Sequence, residues 1–340
     1  MAKVQVADVL VPTLFEDYVI ERSTVLTDFG ASDIVERSPQ FDAIISDGGS
    51  VVNMPAWQGS ALSGQTRQII SDTNAGVPNK ITTATDKARI SNDFNCWSVT
   101  LLATLLAGDD AMMAIGEMVS QYWAEIDQSI IINSVKGMLG AASFATNVLS
   151  ILTEDGNNAA AANKLTGTTF IDALQKLGDA AARLTAIAIH SATQAALKKL
   201  DLIDYIPDSE GKANIEVFQG RRVITVDSMP SRAGTTSGTV YTSVLFGPAA
   251  FGFGNQNLSG DPLVGGFGSR GVEVARVPLN HDDILINRRR WIKHPRGMAW
   301  QDVTIAENGG PDDTELQEQA QWIRVWQSKN VRIVGIVHNN

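Results

Sequence analysis

Residues 287 to 300, NRRRWIKHPRGMAW, put five basic side chains and two tryptophans into fourteen positions. Cations beside indole rings can do two kinds of chemistry. They can hold a phosphate backbone while bases stack on the rings, or they can pair with carboxylates on a neighbouring strand or subunit. Written as a strand, the run turns Arg288, Arg290, Ile292 and His294 to one face and Arg289, Trp291 and Lys293 to the other. Pro295-Arg296-Gly297 ends it, and no second basic cluster of that density occurs. An edge strand crowded with charges is also protected against wrong pairing. The reading favoured here is a contact role, inter-strand or inter-subunit, for Arg288, Arg289, Arg290, Lys293 and Arg296, with acidic segments such as residues 1–50 of a neighbour as partners.

Other candidate chemistry is thinner. Gly266-Phe-Gly268-Ser-Arg-Gly271 matches the spacing of a dinucleotide-binding turn. That turn needs a helix after it to receive the pyrophosphate, and here a β-patterned VEVARVP follows. A soluble nucleotide-binding α/β enzyme is therefore a weak alternative. His190, His281, His294 and His338 include no pair at the i, i+4 spacing of a helical zinc site, and the one cysteine, Cys96, is near none of them. His281-Asp282-Asp283 reads as a solvated turn, and Asn257-Leu-Ser is a glycosylation sequon by pattern only. No catalytic residue, cofactor or metal is expected.

Composition narrows the classes. The chain has 340 residues, 44% of them apolar, so it can build a substantial core. Its net charge of −10 argues against a protein that coats nucleic acid by backbone electrostatics. Residues 1–50 carry nine acids against three bases, a net of −6, which would push that segment from DNA and draw it to basic surfaces. One cysteine allows no internal disulfide. The N-terminus lacks the pattern of a secretory signal, and no run of about 18 uncharged apolar residues suggests a membrane span.

The elements that must position these residues read as follows. Residues 1–45 form an extended entry and an amphipathic helix from Pro12, with Leu14, Phe15, Tyr18, Val19, Arg22 and Val25 at helical spacing. Residues 46–97 contain two strands, GGSVVNMPAW and NKITTATDKARISNDFNCW, joined by a polar Gly/Ser/Thr/Asn-rich stretch. A two-stranded hairpin with so few large apolar residues is marginal alone. Within 98–142, Asp109 caps a helix whose Met112, Ile115, Val119, Tyr122, Ile126 and Ile130 recur every three or four residues, up to Gly140. Thirty residues make a rod of roughly 45 Å. Residues 143–284 read as a mixed α/β domain with loops at 207–214 and 231–239. Residues 285–340 hold the basic strand, a short helix around TELQEQAQWI and a final strand VRIVGIVH.

In that order the chain resembles the major capsid proteins of tailed phages with the HK97-like fold, in the branch called Gp13-like. The resemblance rests on DTNAGVPNKITTATDKAR, on DDAMMAIGEMVSQYWAEIDQSIIINSVKGML, on TAIAIHSATQAALKKL with RRVITVDSMP, and on WIKHPRGMAW. It implies an α+β chain with an N-terminal arm (1–45), an E-loop hairpin (46–97), a P-domain with the spine helix (98–142), an axial domain (143–284) and a return to the P-domain with the C-terminal strand (285–340). It implies a subunit made in the cytoplasm of a bacterial host that assembles with itself into pentamers and hexamers of an icosahedral virion shell. That shell would enclose double-stranded DNA without sequence-specific binding and without a membrane. A separate scaffolding protein, a portal and a possible decoration protein are the implied partners. An encapsulin-like protein compartment shares the fold and is the alternative. The hairpin would lie over an adjacent subunit, which makes Trp57, Lys80 and Lys87, in or near it, expected contact residues. The cross-linking chemistry of the family is not carried over, because no acceptor or catalytic glutamate can be matched.

Overall fold

A computed structural model describes residues 33–37, 39–46, 48–58, 65–70, 76–100, 111–207, 214–256, 271–277, 282–303 and 305–340. The helix expected after Pro12, the Asp109 cap, residues 266–270 of the glycine loop, Asn257 and His281 lie outside the described residues.

In chain order the elements are β1 (Val35–Arg37), α1 (Pro39–Ser46), β2 (Val51–Trp57), β3 (Thr83–Arg89), β4 (Ser91–Thr100), α2 (Ala111–Gly140), β5 (Val148–Ser150), α3 (Gly167–Gln175), β6 (Ala186–Ile189), α4 (Ser191–Lys199), β7 (Asp204–Pro207), β8 (Asn214–Phe218), β9 (Arg221–Thr225), β10 (Ser231–Ala233), β11 (Thr239–Phe246), β12 (Phe251–Gln256), β13 (Val272–Val277), β14 (Asp282–Pro295), β15 (Met298–Trp300), α5 (Asp313–Gln317), β16 (Trp322–Arg324) and β17 (Ile333–His338). No helix among the described residues is long and apolar enough to cross a membrane.

Two sheets carry the body. The larger has the order β5-β17-β11-β6-β9-β8-β7, with β10 added on β11. Period-two alternation divides its side chains between two cores. Ala186, Ala188, Val244, Phe246 and Ile333 face the C-terminal half of the spine helix α2, where Ile130, Ile131, Val135 and Met138 are buried with Trp300 and Trp322. Ile187, Ile189, Leu245, Val334 and Ile336 face the opposite way, onto Phe170, Leu177 and Leu197 of the helical layer. At about 25 cal/mol per Å² of apolar surface, a layer of large side chains like this one stabilises far more than any single polar contact below.

The smaller sheet is built on β14. Its first six residues pair antiparallel with β13 and its last six with β12, while β4 runs along the other side from Asp282 to Trp291. β1 adds in parallel beside β12. The N-terminal half of α2 lies on this sheet through Val119 and Trp123 against Val272 and Leu285. Helix α1 covers another part through Phe41 and Ile45, packed with Ile292.

Several sequence expectations change here. Most of the charged strand is not an edge: β4 pairs it from Asp282 to Trp291, with β13 and then β12 on the other side, and Ile292–Pro295 pair with β12. The stretch from Asn79 to Trp97 is two strands, because Ile90 turns fully into the core between them. TSVLFGPAAFGFG, which reads as a strand that becomes glycine-rich, is two strands, β11 and then β12 from Phe251. The glycines of β12 let α1 lie flat, since a Cβ on Gly254 would stand 2.6 Å from the Phe41 Cβ. FIDALQKLGDAAARL is helical to Gln175, then re-forms as a 3₁₀ turn over Gly178–Arg183. Sheet membership also cuts across the sequence ranges. β12 and β13, from within 143–284, join the sheet of β4 and β14, while the C-terminal β17 lies in the interior of the larger sheet.

Candidate subunit-contact site

The alternation read from the sequence is the one observed in β14. Arg289, Trp291 and Lys293 point toward the spine helix, and Arg290, Ile292 and His294 toward α1 and the root of the β2–β3 hairpin.

On the spine side the charges converge on one carboxylate. Asp127 is bound by Arg289 Nη1 at 2.8 Å and by Lys293 Nζ. Asp93, directly opposite Arg289 in the ladder, lies 3.7 Å from Arg289 Nη2 and accepts the Trp291 indole N–H. The Arg289 guanidinium sits 3.9 Å above the Trp123 ring, and the Lys293 ammonium is 4.9 Å from Trp291 and 5.5 Å from Phe253. The Lys293 side chain is only 5% exposed.

The electrostatics follow from that burial. Loss of water pushes the Lys293 ammonium down to about 8, against the upward pull of Asp127. Burial also works to raise Asp127, but Lys293 and Arg289 outweigh it and hold the carboxyl below its ordinary range. For Asp93 burial wins over Arg289, the Trp291 N–H and Lys293, and its pKa is raised. Two cations and two acids thus form a compact unit that ties α2, β4 and β14 together.

On the other face His294 Nε2 meets Asp86 Oδ1 at 2.8 Å, and Arg290 Nη2 donates to the Gly49 carbonyl at 2.8 Å. Arg288 pairs with Glu273 on β13 at 2.8 Å, and Arg296 with Glu36 on β1 at 2.6 Å. All five basic residues singled out from the sequence therefore have partners inside the chain: strand residues for Arg288 and Arg296, the spine helix for Arg289 and Lys293, and a loop carbonyl for Arg290. Arg288 and Arg296 remain about one-third exposed, at 32% and 34%.

The three hairpin residues are placed differently. Val52, Met54 and Ala56 pair across to Ala88, Asp86 and Ala84 on the inward face of the hairpin. Trp57 and Lys87 lie on the outward face, and Lys80 is exposed beyond it. Trp57 is 76% exposed, Ile69 76%, Ile70 100% and Val77 69%. The hairpin root, by contrast, is anchored on its own chain, where Val52 and Ala88 join the core of α1 and Ile292. The sequence reading that the hairpin lacks a core is thus corrected: Val52, Ala84 and Ala88 on its inward face are buried within the chain.

Asp86, Asp93 and Asp127 were missed as members of the site. A signal existed. Asp127 stands four residues from Trp123 and from Ile131, both buried, so it occupies the inner face of its helix. Asp86 alternates with buried Ala84 and Ala88. His190 Nδ1 accepts the Ala192 N–H as the cap of α4, and His338 is fully buried against Ser243. Among the described residues no group of His, Cys, Asp and Glu could hold a metal ion.

This arrangement braces a scaffold and leaves Trp57, Ile69, Ile70 and Val77 exposed in and beyond the hairpin. No family model matches the chain. It is 38% identical over 341 residues to the major capsid protein of Bacillus phage SPP1, covering 99% of each chain. Its fold is similar to the capsid of Ralstonia phage GP4 (TM-score 0.58, 9% identity, 91% of this chain and 88% of that one). It is also similar to the capsid of cyanophage Pam1 (0.54, 11%, 90% and 88%) and to a chain of Mycobacterium phage Che8 (0.51, 12%, 89% and 89%). The chain belongs to the major capsid proteins of tailed phages, structural proteins of the virion capsid with the HK97-like α+β fold.

Proposed function

We propose that the subunit closes into pentamers and hexamers of an icosahedral shell around double-stranded DNA, and that its distal hairpin is completed by the adjacent copy. The observation that carries this is the exposure of Trp57, Ile69, Ile70 and Val77 in and beyond the β2–β3 ribbon. A monomeric protein gains nothing from presenting such a ribbon to water. Burying four such side chains on a neighbour contributes about 1.5–3 kcal/mol each before the costs of association. Lys80 and Lys87 flank the same ribbon and act as polar contacts at its rim, while Arg288 and Arg296 meet neighbours with their exposed third.

The chain carries no catalytic duty in this reading. A scaffolding protein guides assembly, a portal occupies one vertex and a decoration protein can bind outside. DNA is enclosed without sequence-specific contacts, in keeping with a net charge of −10. Substitution of Ile70→Asp and Trp57→Asp tests the hairpin claim. Both side chains are exposed, so the unassembled subunit keeps its unfolding midpoint. Sedimentation of the variants is expected to show subunits or capsomers in place of megadalton particles. Shells formed at the unchanged yield would refute the contact.

A further inference from the structure

The hairpin is joined to the body by short connections and seated on it by side chains. β2 and β3 form a sheet of their own. On one side the chain enters through Gly48 and Gly49, both in the left-handed region at φ +88° and +86°. On the other, the single residue Ile90 separates β3 from β4. Among the described residues no ladder runs from the hairpin into either large sheet, so side-chain contacts on its inward face help set the angle.

Those side chains come from the basic strand and the turn after it. Asp86 is 3% exposed, and its carboxylate accepts from His294 Nε2 at 2.8 Å and from the Gly297 backbone N–H at 2.9 Å. His294 is 2% exposed and lies nearly parallel to the Trp322 ring, 6.2 Å between centroids. Arg290 holds the Gly49 carbonyl at 2.8 Å, and Arg89 reaches Asp302 at 3.2 Å. A buried carboxylate is a poor way to gain stability, because an apolar side chain of similar size does as well. It is a good way to gain direction, since charge-assisted hydrogen bonds are short and angular.

We infer that Asp86 and His294 are positioning residues that fix the angle at which the hairpin leaves the body, and so where its exposed end meets the next copy. This rests on the shell reading above. Asp86 sits at the middle of the ribbon's inward face, between buried Ala84 and Ala88 and opposite Met54. A change in its contacts shifts the seat of the whole ribbon, and apolar contact at the exposed residues is lost once surfaces separate by more than about 1 Å.

The test compares the full-length chain, Asp86→Asn, His294→Gln, and Ile336→Val as a core control in the larger sheet. Each is assayed for its unfolding midpoint as unassembled subunit and for particle size by sedimentation and electron microscopy. Asp86→Asn turns an N–H₂ group toward either His294 or the Gly297 N–H, so its regular shells are expected to fall at least tenfold, with misshapen particles in their place. His294→Gln keeps a donor toward Asp86 and is expected to retain regular shells. The control is expected to assemble normally at an equally lowered midpoint. Regular shells from Asp86→Asn at the unchanged yield would overturn the inference. So would a yield that simply follows the unfolding midpoint in all variants, control included. Absence of particles from the unsubstituted chain would instead overturn the shell reading, and this inference with it.

Discussion

Asp127→Asn in the spine helix is the sharpest probe of how the subunit is braced. The substitution keeps shape and removes one negative charge. It leaves Arg289, whose guanidinium packs on Trp123, and Lys293, 5% exposed, with Asp93 as their remaining acidic partner of the cluster. Breaking a buried pair by removing one partner costs about 3–5 kcal/mol, because the other charge stays uncompensated. The site sets its own scale too. Lys293 titrates near 8 rather than 10.5 even with Asp127 present, which corresponds to about 3 kcal/mol against holding its charge at neutral pH. Without Asp127 that opposition grows. The assay is urea unfolding of the unassembled subunit, followed by the fluorescence of Trp123 and Trp291, which touch the cluster. The expected loss is about 3–5 kcal/mol, and adding Lys293→Met is expected to recover at least half by removing the surplus cation. A loss under 1 kcal/mol, or additive effects in the double variant, would refute the shared-hub reasoning.

Three further outcomes follow. His338 is buried and neutral with a pKa lowered to about 4 by burial, so the unfolded chain binds the extra proton between pH 6.5 and 4. Its contribution is complete above pH 6.5 and lost as pH falls, by up to about 3 kcal/mol, and His338→Gln is expected to flatten that part of the stability profile. Lys293 acts with the same sign in alkali: its lowered pKa makes stability rise between pH 8 and 10.5 relative to Lys293→Met, measured by urea midpoints at each pH. Gly137→Ala places a methyl 2.7 Å from Trp322 Nε1 and against the Leu316 carbonyl, where α2 meets the C-terminal segment, and is expected to yield no soluble subunit on expression.

Much of this architecture is legible in the sequence, and what is not has physical reasons. Val119, Tyr122, Ile126 and Ile130 mark the spine because helical period is a local property. The two faces of β14 are legible for the same reason. Its central place in the sheet is not, since its partners β4, β12 and β13 come from three distant segments and pairing leaves no local trace. β12 is hidden because the glycines that admit Phe41 also erase its hydrophobic pattern. The basic residues were found as a cluster because they are contiguous. Their acids, Asp86, Asp93 and Asp127, are single residues on three different elements, and only their positions on buried faces betray them. The anchored hairpin root was missed because Ala84, Asp86 and Ala88 look too small and polar to make a core, yet small residues are what close packing on the turn after β14 requires.

Electron microscopy of particles formed by the full-length chain tests the central claim most directly. The account predicts closed shells in which Trp57, Ile69 and Ile70 of each copy are covered by the adjacent one. A purified protein that stays a small, non-assembling species, with those same side chains folded back on its own body, would contradict it.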